Sequence, residues 1–599
     1  MKKLLKLTLI GTLRMVSLTS LCCWVQVQDV FKQYASLTGT TPLPPLWSLA
    51  YHQCRWNYND QADVRYVDQT MDKFDVPYDV IWLDIEHTDS KKYFTWDLSR
   101  FPNSQEMLRN LSSKGRKLVT VVDPHLKRDD NYHVYTDAKN KGLLVKDKDG
   151  KDFDGWCWPG ASSWPDFMED HVCKWWADQF SLENHKGSAD NLFVWNDMNE
   201  PSVFNSPEIT FPKDAKHLSG RENREVHNVF GMLVHRATWE GLLKRGNYQE
   251  RPFVLTRSFF AGSQRHSAVW TGDNMAEWSH LKITIPMMLS LSLAGIHFSG
   301  ADVGGFFRSP ENELLTRWYQ AAAFQPFFRA HAHIDSKRRE PYLLPEDNMI
   351  IIRDAIKKRY TYLPYLYTLF HESETSGNAP MRALWIEFPE EAEVFPIDDE
   401  YLLGSALIVK PVVNQGQTST RLYFPGADTI WYDIDNYKAY RGRQRVTIEA
   451  PLSKIPAFQR GGTIIPRKMR VRRSSSLMSK DPFTLIVCLD ITGSAEGNVY
   501  VDNYHSLDYR NGDYVKVNLT FHNLKLEGKL LHKGPNFSTK EWIERVIIVG
   551  INKDPKYINL VVGDQTVKLE HSYDLRTKVL IVRKPGVNIS EEKWVISLH

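Results

Sequence analysis

Two aspartates in this chain end apolar runs that read as buried strands, and as a pair they have the chemistry to cleave a glycosidic bond. Asp197 closes Asn191–Asp197 (NLFVWND) and Asp273 closes Ala268–Asp273 (AVWTGD). Side chains alternate along a strand, so Trp195 and Asp197 face one way and Asn196 the other. A carboxylate beside an indole suits a sugar ring. Glycoside hydrolysis needs two carboxyl groups flanking the scissile bond, one of them protonated near neutral pH, and burial beside a second carboxylate raises a pKa in that direction. Separation sets the outcome: about 5–5.5 Å gives retention, and a wider gap that admits water gives inversion. The plain alternative for either residue is a helix-capping Asp next to a core Trp.

Other strand-end residues have matching chemistry. Asp84 (IWLD) and His331 (FRAH) are suited to vicinal hydroxyls, and Arg257 (LTRS) to a carboxylate or a hydroxyl pair. Asp302 (GAD) is expected to support Arg257 or His331 from behind, and Trp158, in WCWPG, to wall the pocket beside the Trp195 platform. His331 and His333 form an H-x-H pair without a third ligand at the usual spacing, and Gly300–Gly305 has the wrong spacing for a dinucleotide loop. No metal or cofactor is expected.

The elements that must position these residues recur as one phrase. A short apolar run ends in a polar residue and a helical pattern follows: Leu46–His52, Tyr78–Asp84, Lys117–Asp123, Asn191–Asp197, Pro252–Arg257, Ala268–Asp273, Ala294–Asp302 and Pro326–His331. Between the first two, Val64, Val67, Met71 and Phe74 fall on one helix face. Buried parallel strands alternating with helices specify a (β/α)8 TIM barrel, whose active site lies at the C-terminal ends of its strands. Asp84, Asp123, Asp197, Arg257, Asp273, Asp302 and His331 all occupy that end. Past Phe370 the pattern becomes short β-rich runs between turns, the mark of β-sandwiches. The expected organisation is a leader over 1–28, the barrel over 29–385, a proximal sandwich over 386–470 and a distal one over 471–599.

Composition narrows the alternatives. Lys and Arg number 75 against 72 Asp and Glu, interspersed rather than clustered, which argues against a nucleic-acid partner. The densest basic run, Arg467–Arg473, reads as a solvated strand or loop. Six cysteines are too few for a disulfide scaffold, and no apolar run is long enough to span a bilayer. Met1–Leu13 has the basic start and apolar core of a signal peptide, interrupted by Arg14.

With these residues in view, WNDMNEPSVF at Trp195–Phe204 resembles the nucleophile signature of glycoside hydrolase family 31. RSFFAGSQRHSAVWTGDN at Arg257–Asn274 is similar to that family's segment from its substrate-binding Arg to its acid/base Asp. The likeness runs from about Asp29 to the C-terminus. It implies Asp197 as nucleophile, Asp273 as acid/base, and Asp84, Arg257 and His331 around a terminal glucose. IWLDIEHTDSKKYFTWD, GADVGGFF, QPFFRAHAHID, FQRGGTIIPRKMRVRRSSS and RKPGVN look most like members that process N-linked glycans in the endoplasmic reticulum. The substrate so implied is a glucosylated N-glycan with α-1,3-linked glucose, and the partner a lectin-bearing β subunit. Family members also carry an N-terminal β-domain ahead of the barrel, and without it an apolar patch is expected on the barrel's surface. The competing readings are a cytosolic or lysosomal α-glucosidase acting on maltose or glycogen, and a non-catalytic binding protein.

Overall fold

The computed structural model describes residues 5–7, 21–23 and 27–599, so the signal-like segment falls largely outside it. Eight strands form one parallel sheet: β1 (Tyr51–Gln53), β2 (Val80–Leu83), β3 (Lys117–Val121), β4 (Leu192–Asn196), β5 (Val254–Thr256), β6 (Ala268–Trp270), β7 (Ser299–Gly300) and β8 (Phe328–Ala330). From β1 to β7 each strand pairs with the next in sequence, and β8 pairs with β1. A parallel bridge between Val303 and Ala330, with Phe327 N–H donating to Ser299 O, closes the last gap. The sheet is therefore a barrel. Its strands are buried on both faces, which is why they read as unbroken apolar runs.

Seven strands fall within their expected runs and β1 ends one residue past its own, at Gln53; all are shorter than the runs, two of them for visible reasons. Leu46–Leu49 forms a 3-10 turn ahead of β1. Only two residues of Ala294–Asp302 pair as β7, where a Cβ on Gly300 would meet the Phe327 carbonyl oxygen at 2.3 Å. Backbone there approaches backbone too closely for a side chain. The helix Gln61–Lys73 starts on Asp60, whose side chain accepts from Asp63 N–H, and it buries Val64, Val67 and Met71. After β8, the helix Glu346–Ser376 carries Arg359, whose buried guanidinium donates to the carbonyls of Leu49, Ala323, Gln325 and Pro326. A buried cation so fully hydrogen-bonded ties the underside of the barrel to this helix.

Two strand-rich units follow. In the first, the six-stranded sheet that includes Leu407–Val409, Ile430–Asp433 and Ala457–Arg460 packs over the pair Ser419–Phe424 and Gln444–Glu449. Its core holds Trp431, Phe424 and Phe458. In the second, ten strands from Thr463–Arg467 to Lys593–Leu598 close on themselves where Thr463 meets Glu496 in parallel. That closure joins residues with no local signal in common.

The basic run is largely solvated over Met469–Arg473 but buried at Arg467 and Lys468, and its cations have partners. Arg467 donates to Thr361 at 2.8 Å, Lys468 is buried against Glu541, Arg472 pairs with Asp481 at 2.8 Å and Arg473 with Asp72 at 3.2 Å. The run clamps the second unit to the barrel. Cys54, Cys157, Cys173 and Cys488 are buried, unpaired thiols. On the helix Trp278–Leu293, Ile283 and Met287 are exposed and, with Phe259, line a cavity of about 470 Å³ that reaches Arg257. Among the described residues, no helix is long and apolar enough to cross a membrane.

Candidate active site

Alternation along the even-numbered strands stacks the site in layers. Trp82 on β2, Trp195 on β4, Trp270 on β6 and Arg329 on β8 form one four-residue layer across the interior, the arrangement that fills such barrels. The Arg329 guanidinium carbon lies 4.8, 4.8 and 5.2 Å from the three indole centroids. The indoles themselves meet edge to face, at 5.9 and 5.5 Å. Each desolvated cation–ring contact contributes up to about 2 kcal/mol. Arg329 Nη2 donates to Asp302 Oδ1 at 2.6 Å, and both side chains are only 1% exposed. Asp302 therefore supports Arg329, not Arg257 or His331 as expected. β7 and β8 are adjacent, and the cation already fixed among the indoles claims the carboxylate.

Two residues further along β2, β4 and β8, the next layer up presents Asp84, Asp197 and His331 at the rim. His331 Nε2 lies 3.7 Å from Asp84 Oδ2. Its ring stacks on Phe306 at 4.9 Å and meets the edge of Trp195 at 5.3 Å. After β6 the chain turns at Gly272, with φ +79, a conformation strained for any residue bearing a Cβ. That turn brings Asp273, three residues beyond the strand, to the same rim.

Arg257, directly after β5, gathers the carboxylates. Its Nη1 lies 2.9 Å from Asp197 Oδ1 and 3.7 Å from Asp273 Oδ2. Two oxygens held on one nitrogen are no farther apart than those contacts end to end. This limit encloses the retaining separation of about 5–5.5 Å and reaches only the foot of the inverting range, about 6.5–9.5 Å. The contact to Asp197 is close but not aligned as a hydrogen bond, and Asp197 Oδ1 has no hydrogen-bond partner. Its lone pairs are free to meet another atom. Asp197 is the more enclosed of the two, its side chain 16% exposed against 35% for Asp273.

Electrostatics separate the roles these groups can take. Burial pushes Asp197 up to about 6; Arg257 opposes this, and Asp273 and Glu200 add to it. Asp273 is likewise pushed up to about 6 by burial, with Arg257 and Arg329 pulling down and Asp302 pushing up. Linked in this way, the two titrate as a pair. Near neutral pH the site can hold one proton on one carboxyl group and a charge on the other, the state that acid-assisted displacement requires. Asp84 is pushed up to about 8 by burial, against the Ile85 N–H that it accepts. His331 is held well below its ordinary value by burial and then by Arg329, so it faces the pocket as a neutral imidazole.

Sequence reasoning missed three contributors. Glu200 binds Arg257 through two oxygens, at 2.7 Å to Nε and 3.1 Å to Nη2, and so fixes the plane that meets Asp197. Its only signal was its place in the loop that begins at Asp197. Arg329 was hidden inside an apolar run. Tyr93 donates to the fully buried Asp123 and contacts His125 Nε2 at 2.9 Å, placing a third strand-end carboxylate beside Asp197. Trp158 stands on one wall, 5.3 Å from Trp56 and 4.8 Å from Phe204. Trp195 is only 2% exposed, and its face is covered by Arg329. It lies in the floor rather than on an open platform.

Known proteins share the fold and much of the sequence. The glycosyl hydrolases family 31 TIM-barrel domain matches residues 41–369, and that family's C-terminal domain matches 377–465. Neutral alpha-glucosidase AB from Sus scrofa is 54% identical over 574 residues, 96% of this chain and 61% of its own length. The chain thus spans about three-fifths of that relative. A crystal structure of glucosidase II alpha subunit in its alpha3-Glc2-bound form superposes with a TM-score of 0.93 at 44% identity, over 96% of this chain and 64% of that one. The crystal structure of the ER glucosidase II heterodimeric complex, catalytic subunit with the binding domain of the regulatory subunit, gives 0.94 at 42% identity, over 100% of this chain and 69% of that one. With a matching barrel, a matching C-terminal domain and paired aspartates at the rim, the chain belongs to glycosyl hydrolase family 31.

Proposed function

We propose that this chain is a retaining α-glucosidase that removes terminal α-1,3-linked glucose from immature N-linked glycans. The observation that carries the reading is the pair Asp197 and Asp273 held on a single nitrogen of Arg257. An ionised Asp197 attacks the anomeric carbon. The bond to the leaving sugar breaks, its electron pair passes to the departing oxygen, and that oxygen takes the Asp273 proton. Asp273, now a carboxylate, removes a proton from water, and the water oxygen displaces Asp197 from the anomeric carbon. Glucose leaves and both aspartates return to their starting states. The more exposed carboxyl is the one that exchanges protons with leaving group and water, and the enclosed one forms the covalent bond. Asp84, His331 and Arg257 hold the glucose hydroxyls, with Trp158 beside the leaving sugar.

The linkage and setting draw on the similar proteins. The alpha3-Glc2 ligand of the solved glucosidase II alpha subunit supports an α-1,3-glucoside, and the heterodimeric complex supports the glucosidase II β subunit as partner in the endoplasmic reticulum lumen.

The direct test presents the purified chain with an α-1,3-glucosylated N-glycan and with maltose. Glucose release should favour the glycan, and a folded Asp197→Asn variant should lose about four orders of magnitude in turnover. Faster release from maltose would move the substrate to storage glucans, and near-normal turnover by Asp197→Asn would remove the nucleophile.

Asp273→Ala should lose far more on disaccharides than on activated aryl glucosides, whose leaving groups need no proton. Added azide should restore turnover by attacking the glycosyl-enzyme, giving an α-glucosyl azide. Equal loss on both substrates without rescue contradicts the acid/base role.

Glu200→Gln removes a negative charge that raises both Asp197 and Asp273. Both must then fall, so both limbs of the pH–rate profile move to lower pH, by roughly one unit or less. Unmoved limbs in an active Glu200→Gln protein would show that Glu200 does not act on the pair.

A further inference from the structure

Resting on that α-glucosidase reading, we infer that Arg329 is a positioning residue for the reaction: one guanidinium clamps the three indoles beneath the site and, through Asp302, sets the charge that the carboxylates meet from below. The geometry is specific. Trp82, Trp195 and Trp270 surround the cation on three sides, and Asp302 holds a fourth direction at 2.6 Å. Arg329 Nε and Nη1 have no hydrogen-bond acceptor. Those N–H groups meet ring faces instead, which a guanidinium tolerates better than the strongly hydrated ammonium of lysine. Three of the four strands in this layer deliver Asp84, Asp197 and His331 two residues on, and the fourth leads through Gly272 to Asp273. A shift of the cation therefore moves every even-strand group at the rim.

The charged and titratable groups around Arg329 come from all sides: His52 and Cys54 from β1 and its exit, Asp84 after β2, Asp197 after β4, Asp273 after β6, Asp302 after β7, and His331 with Arg339 after β8. Asp302 and Arg329 act on Asp273 with opposite signs, Asp302 raising it and Arg329 lowering it. The pair is thus a balanced charge under the acid/base, and each half has its own expected effect.

The first readout is thermal unfolding of the full chain between pH 5 and 8, which does not require activity. In Arg329→Gln, Asp302 becomes a buried carboxylate without its cation, and its folded pKa rises further above the unfolded value of about 3.9. Such a group loses stability as pH rises toward the folded pKa. The Tm deficit of Arg329→Gln should therefore widen with pH, and adding Asp302→Asn should remove the widening. If Arg329→Gln does not fold, the double variant, with no unpaired charge, still supplies this comparison with wild type and with Asp302→Asn alone. The second readout is the alkaline limb of turnover on a chromogenic α-glucoside. It should fall in Asp302→Asn, where Arg329 is left unopposed, and return toward wild type in the double variant; in Arg329→Gln it should rise only to the extent that Asp302 is ionised at that pH. Arg329→Lys keeps the charge and should keep the limb while losing turnover.

A Tm deficit that is equal at every pH and unrelieved by Asp302→Asn would overturn the proposal, as would an alkaline limb unchanged in all three variants. A wild-type chain inactive on every α-glucoside would instead defeat the reading of function, leaving the unfolding series to judge Arg329.

Discussion

One buried cation among three indoles governs the geometry of this site. Trp82, Trp195, Trp270 and Arg329 occupy a single interior layer, each from a different even strand, so the layer fixes the relative heights of four strands at once. A barrel interior made only of aliphatic side chains would pack as well. It would not place a fixed positive charge a few ångströms below a cluster of carboxylates. Asp302 keeps that charge from being left unpaired, which in a dry interior would cost several kcal/mol. The floor is therefore both packing and electrostatics, and the rim inherits its positions from it.

Above the floor the site carries more negative charge than its cations neutralise. Asp197, Glu200 and Asp273 meet Arg257 and Asp302 meets Arg329, with Asp84 and Asp123 buried nearby. Mutual repulsion and burial together push several of these carboxyls upward, and part of the set retains protons near neutral pH. Of the two rim aspartates Arg257 lies nearer Asp197, at 2.9 Å, than Asp273, at 3.7 Å, and so favours a charge on Asp197. Glu200 spends two oxygens on holding that guanidinium in plane. A proton kept on one carboxyl and a charge kept on its neighbour are then consequences of where one arginine is anchored.

Much of this was legible in the chain. Strands buried on both faces read as continuous apolar runs, and the first charged residue after each run marks the rim; that logic found Asp84, Asp197, Arg257, Asp273 and His331 as neighbours. It failed where the signal is not local. Arg329 sits inside PFFRAH, where a charge in a strand looks like an interruption rather than the centre of a layer. Asp302 was expected at Arg257 or His331 because strand-end residues seemed to address each other, whereas the floor beneath claims it. Trp195 looked like a platform because alternation gives the direction of a side chain and not its depth. The basic run is largely solvated as read, but some of its partners are remote and were not legible: Arg473 meets Asp72, 401 positions away. Closure of the distal ring depends on the similarly non-local pairing of Thr463 with Glu496.

The proposed mechanism needs two aspartates acting from opposite faces of one glucose, close enough for a covalent intermediate. That claim has a direct readout in the first product formed. Proton NMR of an α-glucoside undergoing hydrolysis, followed before mutarotation, reports the anomer as it leaves the enzyme. The account predicts α-glucose first, with the β-anomer growing in only at the rate of spontaneous equilibration. β-Glucose appearing first would mean single displacement by water, and the spacing imposed by Arg257 would not be the one at which the chemistry occurs.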